Sequence, residues 1–273
     1  MSTNPSTVSR MPALFVAHGS PMIAVEHDAY DETLARLAAE LPRPRAVIVV
    51  SAHWETAAQV RVTTGATLRT IHDFGGFPEA LYRIQYTPSG DPALAERVIA
   101  ALREGGLDAI ADPLRGLDHG AWVPLRFLYP RADVPVVAVS LPVPRSEALL
   151  AQLGAALARF RDEGVLVIGS GGLVHNLRRV VFADKYASTE AWAAEFDGWV
   201  AARLASGDRA GLAAWKASAP HARLAVPSSE HFDPALVVAG AARAAEPVST
   251  VYEGFHHGTL SMRSFAYGME VTS

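Results

Sequence analysis

Short, unbroken aliphatic runs alternate along this chain with longer amphipathic stretches, and that alternation limits the possible folds more than any other feature. Residues 14–17, 46–51, 134–141 and 165–168 are mostly Leu, Ile, Val and Ala, each run bounded by turn-forming residues. Runs this short, without polar alternation, read as strands buried on both faces. Helix patterns fall between them. One follows Asp28 and aligns Leu34, Leu37 and Leu41; a second takes Asp91 as N-cap and Pro92 as its first residue and stops at Gly105. A third covers 146–162, a fourth starts near Ser188 and aligns Trp192, Phe196, Trp199 and Val200, and a fifth opens at Asp233. Strand patterns return over 248–267. The expectation is an α/β fold in a single domain, residues 12–273, behind a disordered N-terminal tail, residues 1–11.

With 273 residues, half of them hydrophobic, the chain can bury a full core. A net charge of -4 and the lack of any long basic run argue against nucleic acid as a partner. There is no apolar stretch of about 18 residues to span a membrane and no signal-peptide pattern, so the expected location is the cytoplasm. Cysteine is absent, which removes disulfides, thiolate ligands and thiol nucleophiles together. Any metal must be held by imidazole and oxygen, a donor set that suits zinc, iron or copper.

Several of the ten histidines sit where such a site would form. His18 follows the run LFVA, His53 follows VIVVS, and His175 follows VLVIG and a glycine turn. Ligands of open α/β sheets gather beyond the carboxyl ends of strands, so neighbouring strands would bring these imidazoles together. A lone histidine after a strand is ordinarily structural; three junctions of one kind make a candidate metal site. His119, in LDHGAWVPL ahead of an expected turn at Pro124, and Glu230 with His231, in PSSEHFDP, add loop candidates. His27 and His221 read as surface residues. His256 and His257 point to opposite faces if they lie in a strand, so at most one can face a site. In IHDFGGFP, Phe74 and Phe77 could floor a pocket for a flat substrate. Arg126 and Arg178 lie close to the candidate histidines in sequence and could bind a carboxylate. The chain has no G-x-S-x-G, H-E-x-x-H or phosphate-loop motif.

Taken in order, AHGSP, SAHWE, IHDFGGFP, LDHGAWVPL, GSGGLVHNL and EHFDPAL span nearly the whole chain. They resemble the DOPA-dioxygenase-type extradiol ring-opening dioxygenases of the class III, protocatechuate 4,5-dioxygenase β-subunit superfamily. The resemblance implies a central mixed β-sheet flanked by helices, with one divalent metal at the carboxyl ends of the strands. His18 and His53 correspond to ligands, and EHFDP supplies another, His231 rather than the adjacent Glu230, which would give a facial triad instead. His175 matches a position that is either a further ligand or the catalytic acid–base, and His119 one that contacts substrate oxygen. Phe74 and Arg178 join His119 as expected substrate contacts. The implied cofactor is Fe(II) for dioxygenase activity, or Zn(II), which three neutral histidines suit equally. The implied partners are a small aromatic diol and O2. The diol chelates the metal, His175 takes its second proton, and the ring opens beside the diol. Two other readings use the same residues: a zinc hydrolase or lyase that activates water, and a metal-binding adaptor without activity.

Overall fold

The four aliphatic runs become neighbours. In the computed structural model, which describes residues 10–269, the strands are β1 (Ala13–Ala17), β2 (Ala46–Ala57), β3 (Val60–Thr63), β4 (Ala109–Asp112), β5 (Val136–Val143), β6 (Val165–Gly171), β7 (Val248–Tyr252), β8 (Phe255–His256), β9 (Leu260–Ser261) and β10 (Ser264–Tyr267). The helices are α1 (Ala29–Glu40), α2 (Glu79–Tyr82), α3 (Pro92–Glu104), α4 (His119–Leu128), α5 (Glu147–Arg161), α6 (Ala191–Ser206), α7 (Arg209–Ala213), α8 (Trp215–Ser218), α9 (Ala222–Ala225) and α10 (Asp233–Ala241). Eight strands form one sheet in the order β4-β3-β5-β2-β6-β1-β10-β7. Its centre, β5-β2-β6-β1, is parallel. β10 and β7 extend it antiparallel on one side, and β3 turns antiparallel to β5 on the other. The sheet is mixed, as the resemblance implied.

Side chains of a strand alternate between faces. In β2, Ile48 and Val50 pack with α3, α5, α6 and α10. Val47 and Val49 pack on the other face with α1 and α4. Both faces are covered, which is why the runs show no polar alternation. At the α5–α10 crossing, a Cβ on Gly154 would run into the Val237 carbonyl, and one on Gly240 into the Ala151 carbonyl. The two helices pack backbone to backbone and press α10 onto β6.

Several boundaries differ from the sequence expectation. β2 runs on to Ala57 through the polar string that carries His53, with a register shift against β5 between Val50 and Glu55. Pro124 makes no turn; it lies inside α4. The predicted tail falls largely outside the described residues, but its last two residues belong to the fold. Arg10 pairs with Asp162 at 2.8 Å, and buried Met11 donates its N–H to the Arg161 carbonyl. Arg161 is itself fully buried and ties Met11, Ala241, Tyr267 and Glu246 together. His27 and His221 are exposed as expected. No helix among the described residues is long and apolar enough to cross a membrane.

Candidate active site

All the central strands point their carboxyl ends at one region, and the chain turns there deliver the histidines. His18 is the first residue beyond β1, buried, with its N–H donated to Gly171 at the end of the neighbouring strand. Its Nδ1 lies 3.0 Å from Ser170 Oγ, and that hydroxyl donates in turn to the Gly120 carbonyl. Pro124 explains why this carbonyl is available. A proline four residues on has no N–H to give, so the helix leaves Gly120 oxygen open. With the Ser170 proton committed there, His18 Nδ1 must be the donor, and Nε2 keeps the lone pair.

His53 projects from the irregular end of β2, its Nδ1 3.5 Å from Asp73 Oδ2. His231 closes the turn Ser229–His231 immediately before α10. Its carbonyl accepts the Gly172 N–H at 2.8 Å, and a side chain at Gly171 would collide with that carbonyl. The His231 Nδ1 donates to Glu230 Oε1 at 3.0 Å. Each ring thus has its Nδ1 beside an oxygen acceptor, which leaves the three Nε2 atoms facing one another. His53 Nε2 is 3.0 Å from His18 Nε2 and 3.2 Å from His231 Nε2.

Three lone pairs at that distance repel unless a cation lies between them. Two nitrogens each roughly 2.1 Å from one ion, at angles of about 90–109°, stand about 3.0–3.4 Å apart, which matches the spacing here. The residues present therefore fit a single metal ion, with an oxygen acceptor behind each imidazole. Glu230 occupies the acceptor position behind His231. Burial opposes its ionisation, but the His231 hydrogen bond outweighs that and holds its carboxyl down to about 2.

Two more histidines border the cluster. His119 is the first residue of α4, and Asp73 accepts both its backbone N–H at 2.8 Å and its Nδ1–H at 3.0 Å. Its ring centroid is 4.0 Å from that of His53. His175 lies four residues past β6, its N–H given to the Ala225 carbonyl, its ring stacked on His231 at 3.4 Å and nearly parallel. Its ligand atoms group with those of Glu230 and His231, not with the set formed by His18, His53 and His231. Burial, then the neighbouring imidazoles, keep His18, His53 and His175 short of protons. His18 is pushed well below its ordinary value, His53 to about 2 and His175 to about 3.

A cavity of about 750 Å³ opens above the rings of His53, His119, His175 and His231. Phe74 and Phe77 form part of its wall, with Phe74 edge-on to His119 at 5.6 Å. Arg178 lines it as well. Arg126 does not; its guanidinium is turned to the Ala24 carbonyl at 2.8 Å. His256 and His257 are buried away from the cavity, His256 beside Asp28 at 3.1 Å. Sequence reading missed Asp73 and Ser170. Asp73 sits in the aromatic loop that was singled out only for its phenylalanines.

The catalytic LigB subunit of aromatic ring-opening dioxygenase, as a family, matches residues 8–265. The chain belongs to this family. It is similar to two proteins named 4,5-DOPA dioxygenase extradiol. The one from Escherichia coli (strain K12) is 40% identical over 271 residues, covering 95% of this chain and 96% of the relative. The one from Beta vulgaris is 36% identical over 257 residues, covering 93% and 95%. A crystal structure of an uncharacterized protein from Escherichia coli K12 is similar with a TM-score of 0.79 and 35% identity, covering 94% of this chain and 99% of that one. Membership of the LigB family makes this chain an aromatic ring-opening dioxygenase, and the histidine cluster is its candidate active site.

Proposed function

We propose that this LigB-family chain is an extradiol dioxygenase that binds a catechol with a DOPA-like side chain and opens its ring next to the diol, incorporating one O2. The observation that carries the reading is the convergence of three imidazole Nε2 atoms at the floor of a cavity bordered by two further imidazoles. His18, His53 and His231 would hold one divalent ion, Fe(II) for this chemistry, although Zn(II) suits the same donors. When bound, the ion supplies the Lewis acidity that lowers the diol's pKa and the redox partner that O2 requires.

The rest falls to the chain's own groups. His175, held neutral by burial, has a lone pair free for the second catechol proton, and a catecholate beside it raises its affinity for that proton. Asp73 fixes the Nδ1–H of His119, which leaves Nε2 to accept a hydrogen bond from a ring hydroxyl. Phe74 and Phe77 cover the flat ring and keep water off it. His231 is the better third ligand than Glu230, because Glu230 Oε1 is engaged with the opposite nitrogen of that ring.

An oxygen electrode tests the reading. Protein loaded anaerobically with Fe2+ is expected to consume one O2 per catechol, and protein loaded with Zn2+ none. Turnover with Zn2+ in the absence of O2 would replace the dioxygenase with a zinc hydrolase or lyase.

A further inference from the structure

Among the described residues, the cavity is lined by one arginine or lysine, Arg178, whose guanidinium has no hydrogen bond or ion pair. The turn that presents it is well fixed. The Asn176 side chain accepts the Arg178 N–H at 3.1 Å and donates to the Leu224 carbonyl at 2.8 Å. His175, three residues earlier, is tied to the next carbonyl, that of Ala225. One short turn therefore sets the backbone positions of both His175 and Arg178. Much of the remaining wall is apolar, with Phe74, Phe77 and Leu260. Glu230, the one carboxylate on the lining, makes no ion pair with Arg178 and serves His231 instead.

An exposed guanidinium carried on a well-held turn beside a largely apolar cavity, without a counter-ion from the chain, is suited to a planar anion brought by the ligand. We propose that Arg178 anchors a carboxylate on the substrate's side chain, so that this protein selects catechols whose tail carries a carboxylate over those whose tail has none. The inference rests on the ring-opening reading for the identity of the ring, but not for the anchor itself. The carboxylate lies remote from the diol, so the contact holds substrate and transition state equally and acts on KM rather than on kcat.

The test is calorimetric titration under argon with 3-(3,4-dihydroxyphenyl)propionate and its carboxamide, which differ only in charge. The acid is expected to bind roughly tenfold tighter, the range for a hydrogen bond to a charged group partly open to water. Raising the salt concentration should narrow the gap, because an exposed cation is screened. Arg178→Gln should abolish the preference, Arg178→Lys restore part of it, and Arg179→Gln, the same charge change outside the cavity, leave it intact. In oxygen-uptake assays Arg178→Gln should raise KM for the acid about tenfold with kcat within about twofold. Equal binding of acid and amide, no binding of the acid, or a preference that survives Arg178→Gln overturns the anchor. If the preference holds but no catechol is consumed, the ring-opening reading falls and the anchor stands. If catechols are consumed without the preference, the reverse is true.

Discussion

The imidazoles of His18, His53 and His231 are useful only because each has an oxygen behind it. Ser170 and Glu230 fix which nitrogen of His18 and of His231 carries the proton, and Asp73 lies 3.5 Å from the Nδ1 of His53, so the three Nε2 atoms face one point. Asp73 also accepts twice from His119, and its carboxyl is held down to about 2, with burial opposing and the His119 hydrogen bonds prevailing. Asp73→Asn should therefore reduce turnover by about 10- to 100-fold with metal content retained, as measured by kcat and elemental analysis together. His175→Ala should cost about 10²- to 10⁴-fold in kcat, again with the ion retained; loss of the ion would make His175 a ligand instead. The histidines could be read from the sequence because they sit at the ends of aliphatic runs. Their supporting oxygens could not. Asp73 meets a partner 46 residues away and Ser170 one 152 residues away, and no local pattern reports such contacts. Arg126 misled for the same reason, since closeness in sequence put it near a site that its side chain turns away from.

Elements bring these residues to one place through backbone contact. The β6–α10 approach is tight at Gly171, which has no room for a side chain against the His231 carbonyl. Gly171→Ala is expected to lower the melting temperature and weaken metal retention, because the turn carrying His231 must shift. Gly198→Ala on the open face of α6 meets nothing within 4 Å, and should stabilise by roughly 0.5–1 kcal/mol through helix propensity. Calorimetric melting of the two variants side by side separates crowding from propensity. The strand cores were legible from their composition, and α3 from its Asp91 cap; that Ser146 caps α5 emerges only from the structure. The far half of β2 was not, because its polar string hides a pairing with β5 that resumes only after the register shift. Pro124 was read as a turn because local propensity cannot show that a distant Ser170 satisfies the carbonyl it frees.

For the whole molecule, the cluster has a thermodynamic cost that appears on acidification. An unfolded histidine takes its proton near roughly pH 6.5, whereas the folded chain keeps His18 well below that, His53 at about 2 and His175 at about 3. Below pH 6.5 the unfolded chain thus binds more protons, and stability, full above that pH, falls progressively toward pH 3. Asp73 and Glu230, held at about 2, add a further loss as the pH drops below about 4. Melting temperatures of metal-free protein should accordingly decline from pH 6.5 downward; a flat profile between pH 7 and 5 would contradict the burial of neutral imidazoles. The question on which the rest turns is which side chains hold the ion, and elemental analysis of single variants after metal loading and desalting answers it. One ion per wild-type chain is expected, none in His18→Ala, His53→Ala or His231→Ala, and most of it kept in Glu230→Gln. An ion lost with Glu230→Gln yet retained in His231→Ala would contradict the three-histidine centre.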